Sequence, residues 1–297
     1  MKILIIGSDS FIAQKFISFS YGNSVRGISR TLAKSSNEVV EHDFFSLSES
    51  HFVEIDVVFN FAAIVHHPEI KDVKIYDEVN CKLTLLNAQK AKQADAKLFI
   101  QMSTIAVYGN ASEISVTTPY SPQNPYGISK LKADVELLEM QDDKFKVAII
   151  RPPLVYGGGR APGNMMRLIK LADKGIPLPF KRMNNQRDCI NVHNLVQYLA
   201  IIAEKQLDGV HLVSDHEPVS TECLLNTIAY YLGKKIPLFK IPDYGLKLLS
   251  KIKPNEFEKL FGTLRINTNF PYEELIHRYT VEEGIQEMVE WYKSKCH

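Results

Sequence analysis

The chain has 297 residues, enough for one large domain or a domain with an appended lobe. Its formal net charge of +1 supplies no field to recruit nucleic acid or a membrane surface, so an anionic ligand has to be held by local groups. With 45% hydrophobic and 23% charged residues, wholesale disorder is excluded, and no stretch approaches the ~20 apolar residues of a membrane span.

Along the chain, short apolar runs alternate with helical stretches. "KILIIG" reads as a strand closed at Gly7 and is followed by the helical "SFIAQKFISF". "SVRGIS" and "EVVEHD", the latter ending at Asp43, are the next two strands, and "DVVFNFAA" runs from Asp56 to Ala63 as a fourth. "VNCKLTLLNAQKAKQA" has helical spacing, "KLFIQMST" is a fifth strand, "NPYGISKLKADVELLEM" is helical, and "FKVAIIRPP" is a sixth strand. The runs are nearly continuous rather than alternating, as strands covered on both faces must be. Strand–helix alternation of this kind predicts an α/β fold, a doubly wound parallel sheet.

After Pro152 the texture changes. "VYGGGRAPG" reads as loop, "NMMRLIKLADKG" as a helix closed by Gly175, and "IPLPFKRMNNQRD" as irregular. "CINVHNLVQYLAIIAEK" and "GVHLVS" return to strand–helix–strand, "STECLLNTIAYYLG" is a helix with a Ser/Thr start and a Gly stop, and "TVEEGIQEMVEWYKSK" is a final amphipathic helix. The expected division is a dinucleotide-binding domain at 1–156, rejoined by 187–214, and a smaller C-terminal substrate-binding lobe within 157–297. The four cysteines, Cys81, Cys189, Cys223 and Cys296, form no CxxC pair, which argues against metal and for a reducing compartment. The apolar run from Ile3 stops at Gly7 and gives no signal-peptide pattern. A soluble, cytoplasmic protein is expected.

Three sites carry chemistry. In the first, Gly7 can make the turn that ends a strand beside a bound pyrophosphate. The two later glycines of that fingerprint are replaced by Ser10, whose hydroxyl can face a phosphate, and by the small Ala13. The helix beginning near Ser10 aims free N–H groups and the positive end of its dipole the same way. A plain strand–turn–helix fits the same letters. At the end of the second strand stand Ser29 and Arg30, where an acidic residue would bind a ribose 2′-hydroxyl and an arginine accommodates a 2′-phosphate; these favour NADP over NAD unless Arg30 is an ordinary solvated arginine. In the second site, Tyr126 and Lys130 are spaced i, i+4 and share a helix face. A cation beside a phenol lowers its pKa, which suits proton transfer coupled to hydride transfer. Ser103 and Thr104 close the preceding strand and put a hydroxyl at its carboxyl end. The third is a set of arginines in the second half, Arg160, Arg167, Arg187 and Arg265, suited to a dianionic diphosphate. His66 and His67 have no metal-ligand spacing and read as loop histidines.

In order along the chain, "IIGSDSFIA", "FNFAA", "VNCKLTLLNA", "MSTIAVYG", "YGISK" and "RPPLVYGGG" resemble the extended short-chain dehydrogenase/reductases, the NAD-dependent epimerase/dehydratase group with a Rossmann domain. The resemblance implies that Tyr126 is the acid/base, that Lys130 binds the nicotinamide ribose, and that Thr104 orients the substrate oxygen. It further implies a cofactor surface of Gly7, Ser10, Phe11, Ile12, Ser29, Arg30, Asp43 near the adenine, Ala62, Ala63 and, against the nicotinamide, Pro153. Ile105 and Ala106 stand where the group's dehydratases carry an Asp-Glu pair, so a 4,6-dehydratase is not expected. "GNMMRLIKLADKGIPLPF" and "NNQRDCINVHNLV" resemble a branch acting on UDP-linked N-acetylhexosamines, with Asn164, Arg187 and Arg265 as substrate contacts. The expectation is an NAD(P)-dependent reductase of a UDP-4-keto sugar. The alternatives are a 4-epimerase with tightly held NAD and a non-catalytic NADP sensor. Helices near 80–95 and 126–140 correspond to those that form a homodimer interface in the group; the letters fit equally well helices that only cover the sheet.

Overall fold

The computed structural model describes residues 1–20, 24–31, 38–65, 72–252 and 254–296. Eleven strands are present among them: β1 (Lys2–Ile6), β2 (Ser24–Ser29), β3 (Glu38–Val40), β4 (Val57–Asn60), β5 (Leu98–Met102), β6 (Glu113–Ile114), β7 (Lys146–Arg151), β8 (Leu154–Tyr156), β9 (Cys189–Asn191), β10 (Gly209–Leu212) and β11 (Arg265–Ile266). Seven form one parallel sheet in the order β10-β7-β5-β4-β1-β2-β3. The helices are α1 (Phe11–Phe19), α2 (Lys74–Asp77), α3 (Leu83–Gln93), α4 (Pro125–Glu139), α5 (Asn164–Asp173), α6 (Val192–Lys205), α7 (Thr221–Leu232), α8 (Asp243–Ile252), α9 (Pro254–Phe261) and α10 (Val281–Cys296). A π-helical turn at Glu78–Lys82 joins α2 to α3.

The side-chain period of two explains the layers. Ile3 and Ile5 of β1 face one side of the sheet and pack with Phe59, Phe16 of α1, and Leu195 and Leu199 of α6. Leu4 and Ile6 face the other side, with Val58, Ala88 and Ala91 of α3, and Leu137 of α4. Both faces of the central strands are covered, which accounts for their continuous apolar letters. The chain leaves β1 toward β2 and β3, then crosses back to β4 on the other flank of β1. The order of strands therefore reverses between β1 and β4, and a crevice opens at their carboxyl ends, where ligands bind in such sheets.

The second half does not form a separate sheet of any size. β8 and β9 make a two-stranded pair, β11 pairs with β6, and β10 joins the edge of the main sheet. A third core gathers Met165 and Ile169 of α5, Leu224 and Ile228 of α7, and Ile285, Met288 and Val289 of α10. The helix starts follow local chemistry: Ser220 accepts from Cys223 N at the head of α7, and Gly233 closes it in the left-handed region. Helix α10 also grips the "GGG" loop after β8. Gly157 N donates to Met288 Sδ at 3.3 Å, Gly158 N to Glu287 Oε2 at 2.6 Å, and Trp291 lies against Gly159. Some expected boundaries shorten: the third strand stops at Val40, and Asp43 instead caps a short 3₁₀ turn, because the segment after Val40 leaves the sheet edge.

Gly284 shows how closely α10 approaches. A Cβ there would sit 2.5 Å from Tyr156 Cε2 and 2.6 Å from Asn191 Nδ2. In an open helix, alanine would gain about 1 kcal/mol over glycine. Here Gly284→Ala is expected to lower unfolding stability by about 1–3 kcal/mol through overpacking. Urea unfolding reads this directly, and a raised midpoint would mean that α10 is free to move away.

Candidate functional site

The first site lies in the β1/β4 crevice. Gly7 has φ +81°, and a Cβ on it would meet Ala62 N at 2.8 Å. Only glycine meets both the backbone angle and the close approach. Ser10 caps α1, its Oγ accepting from Ala13 N at 3.3 Å. A hydroxyl used this way as an acceptor still has its proton to offer. Gly7, Ser10, Arg30, Asp43, Ala62 and Ala63 line one cavity of about 290 Å³, together with Asp9, His42 and Phe44. The Arg30 guanidinium lies 5.8 Å from the centre of the Phe44 ring, and His42 Nδ1 is 3.2 Å from the Arg30 carbonyl. Asp43 turns one carboxylate oxygen to Phe45 N at 2.9 Å.

Four further expected cofactor residues are not among the lining of this cavity. Phe11 and Ile12 pack their side chains inward against the core, and Phe11 lies against Gly158. Ser29 donates its hydroxyl to the Thr31 carbonyl at 3.0 Å. Pro153 is buried between β7 and β8. A glycine-floored cavity at a helix N-terminus, with aromatic and polar walls, fits a dinucleotide.

The second site is built by two caps. Thr104 ends β5 and accepts from Ala106 N at 3.1 Å, opening a 3₁₀ turn over Ile105–Tyr108. Asn124 accepts from Gly127 N at 2.8 Å and starts α4, with Pro125 in its first turn. This delivers Tyr126 next to the end of β5, where the Thr104 side chain favours the ionised form of its hydroxyl. One turn on, the Lys130 side chain is buried and Nζ donates to Met102 O at 2.9 Å. Thr104, Tyr126 and Lys130 thus come together at the carboxyl end of β5. The expected lowering of the phenol pKa by Lys130 is corrected. Burial pushes Tyr126 up to about 12, against the Thr104 hydrogen bond, while Lys130 turns its proton to the Met102 carbonyl. Burial likewise pulls the Lys130 ammonium down to about 8, opposed by Asp134.

A buried charge cluster that sequence reasoning missed lies beneath this pair. Asp134 and Arg151 are 0% and 1% exposed. Arg151 donates Nε and Nη2 to Asp134 Oδ2 at 3.0 and 2.9 Å, and Ser103 Oγ donates to the same oxygen at 2.7 Å. Arg151 Nη1 donates to the Tyr108 hydroxyl at 2.7 Å and the Tyr120 hydroxyl at 3.2 Å. Burial raises the Asp134 carboxyl, with Arg151, Ser103 and Lys130 acting against it. Burial also works against the guanidinium, yet Asp134 and the tyrosines hold it above its ordinary value. The signal in the letters was the continuation of Tyr126 and Lys130 by Asp134 at the next i+4 position.

A second cavity of about 230 Å³ begins at Ile105, beside Thr104, and extends to Asn164, Arg187, Asp188 and Thr221, with Leu154, Met165 and Leu224 among its apolar walls. Asn164 opens α5, and Arg187 donates Nη1 to the carbonyls of Glu258 and Gly262 at 2.8 and 2.9 Å. Burial holds Arg187 below its ordinary value. Arg265 does not line this cavity but pairs with its wall: Nη1 donates to Gln186 Oε1 at 2.7 Å and Nε lies 3.5 Å from Oδ2 of the lining Asp188. His66 and His67 lie outside the described residues. Among the described residues there is no cluster of three or more metal-ligating side chains, and no helix is long and apolar enough to cross a membrane.

Residues 3–213 match the model of the NAD dependent epimerase/dehydratase family. A UDP-glucose 4-epimerase of Vibrio cholerae is 31% identical over 238 residues, spanning 76% of this chain and 72% of that one. A dTDP-D-glucose 4,6-dehydratase of Mus musculus is 25% identical across 100% of this chain and 90% of its own length. Among solved structures, MoeE5 in complex with UDP-glucose and NAD superposes with a TM-score of 0.79 at 21% identity, each chain covered in full.

Proposed function

Because the chain belongs to the NAD-dependent epimerase/dehydratase family, we propose that it reduces the C4 keto group of a UDP-linked (N-acetyl) 6-deoxyhexose. The observation that carries this reading is the meeting of Thr104, Tyr126 and Lys130 at the carboxyl end of β5, with Lys130 one helical turn from Tyr126. Bound in the β1/β4 crevice, a nicotinamide cofactor supplies the hydride. Tyr126 gives its proton to the sugar oxygen as the keto carbon is reduced, and Thr104 orients that oxygen. Lys130 would hold the ribose of the bound cofactor and so keep it beside Tyr126. The crevice residues Gly7, Ser10, Asp43, Ala62 and Ala63 hold the dinucleotide, and Arg30 above Phe44 meets a 2′-phosphate, which favours NADP. Asn164 and Arg187 hold the UDP end of the substrate in the second cavity.

Ile105 in that cavity, followed by Ala106, supplies no carboxyl for loss of water, which sets this chain apart from a 4,6-dehydratase. A second reading, a UDP-hexose or UDP-N-acetylhexosamine 4-epimerase with retained NAD, is favoured by the Vibrio cholerae relative. Stoichiometric oxidation of NADPH by a UDP-4-keto sugar supports the reductase. Interconversion of C4 epimers with no net cofactor change supports the epimerase. A homodimer belongs to the same proposal: Ile128 and Val135 on α4 and Ile75 on α2 are exposed apolar side chains.

In steady-state assays Tyr126→Phe is expected to lower turnover by about 10²–10⁴-fold while leaving NADPH affinity within about threefold; near-normal turnover would refute the acid role. Arg30→Ala is expected to cost about tenfold in NADPH affinity and to leave NADH unchanged, since it loses one charge-assisted contact; an unaltered ratio removes the 2′-phosphate role. Light scattering is expected to give a mass of two 33.7 kDa chains; the mass of one chain refutes the dimer.

A further inference from the structure

A buried ammonium is a problem that Lys130 has to solve. Its side chain is about 1% exposed, and Nζ makes one named hydrogen bond, to a neutral carbonyl. Such a cation loses its proton unless a negative charge stands near it. The carboxylate acting on it is that of Asp134, one turn further along α4. Asp134 is itself placed from three elements: Ser103 at the end of β5, Arg151 at the end of β7, and its own helix. Tyr108 and Tyr120 then take up the far side of the guanidinium, whose carbon lies 5.2 and 4.8 Å from their ring centres.

We propose that Asp134 is the positioning residue of this site, holding Lys130 charged and aimed at the cofactor through a carboxylate that Arg151 and Ser103 lock in place. It rests on the reading of Tyr126 and Lys130 given above. Among the described residues, the charged and titratable groups around Lys130 are Tyr126 and Asp134 on α4, Arg151 behind Asp134 on β7, and Tyr108 and Tyr120 behind Arg151; the end of β5 presents the Met102 carbonyl, followed by the hydroxyls of Ser103 and Thr104. Arg151 has the opposite task from a phosphate clamp. Fully enclosed, it cannot reach a ligand, and its charge opposes the protonation that burial favours at Asp134.

The test is NADPH affinity as a function of pH, read by fluorescence, which needs no sugar substrate. Wild-type affinity is expected to fall as pH rises through about 8, where Lys130 loses its proton. In Asp134→Asn that fall is expected about one unit or more lower, so that affinity at pH 8 drops about tenfold relative to its value at pH 6. Asp134→Glu, which keeps the charge, restores the wild-type profile. In Lys130→Met the fall disappears. A merely structural role for Asp134 lowers affinity equally at all pH values; that result, with the fall still present in wild type and absent in Lys130→Met, overturns the proposal and leaves the Tyr126/Lys130 reading standing. A Lys130→Met profile identical to wild type instead overturns that reading, and the proposal with it. Should Asp134→Asn fail to fold, the Asp134→Asn/Arg151→Met double variant removes the buried pair together, a change that cores tolerate better than loss of one partner. The same downward displacement is expected of it, and an undisplaced fall overturns the proposal.

Discussion

The ion pair between Arg151 and Asp134 is the constraint on which the catalytic end of the sheet depends. Two charges taken out of water are costly, and they persist only where geometry is good and the remaining donors are satisfied. Here the geometry is good on one side: two guanidinium nitrogens and a serine hydroxyl meet Asp134 Oδ2, and two phenols take the opposite nitrogen, while the buried Asp134 Oδ1 has no partner among the described residues. The pair ties the ends of β5 and β7 to α4. Those are the three elements that carry Thr104, the residues before Pro153, and the Tyr126/Lys130 pair. Thr104, Tyr126 and Lys130 are therefore on tied supports, although two of them stand at element ends.

The cofactor crevice obeys a different constraint, that of backbone proximity. The turn after β1 passes so close to the segment after β4 that Gly7 has no room for a side chain. That closeness follows from the reversal of strand order between β1 and β4. Ser10 and Ala13 in place of further glycines do not disturb this arrangement. Ser10 serves as the cap of α1, and Ala13 is buried against the core, where a small side chain is enough. The two sites meet because β1, β4 and β5 are neighbours with their carboxyl ends on one side of the sheet.

The substrate side is less a separate domain than a set of attachments to that sheet. β6 and β11 pair although 150 residues separate them, and α10 returns to the glycine loop after β8. The cavity containing Asn164 and Arg187 is formed by this folding back. Its wall at Ile105 is apolar and adjoins Thr104, which leaves the neighbouring hydroxyl and phenol as the polar groups for proton transfer.

The letters by themselves determined the sheet strands, because a strand covered on both faces must be apolar at nearly every position, as in "KILII" and "VVFN". They also determined the starts of α1, α4 and α7, because Ser10, Asn124 and Ser220 act on N–H groups within three residues. The Tyr126/Lys130 pairing was legible for the same reason, since i and i+4 meet on any helix. Only the tertiary structure decided that Asp134, which on a helix drawn alone is one more polar residue, faces inward to a strand-end arginine. It alone decided that Arg187 lines one cavity with Asn164 while Arg265 pairs with the Asp188 of its wall, and that burial raises the Tyr126 phenol. Local geometry depends on neighbours in the chain; burial and long-range charge pairing depend on residues 17 to 80 positions away, and the spacing of letters carries no record of them.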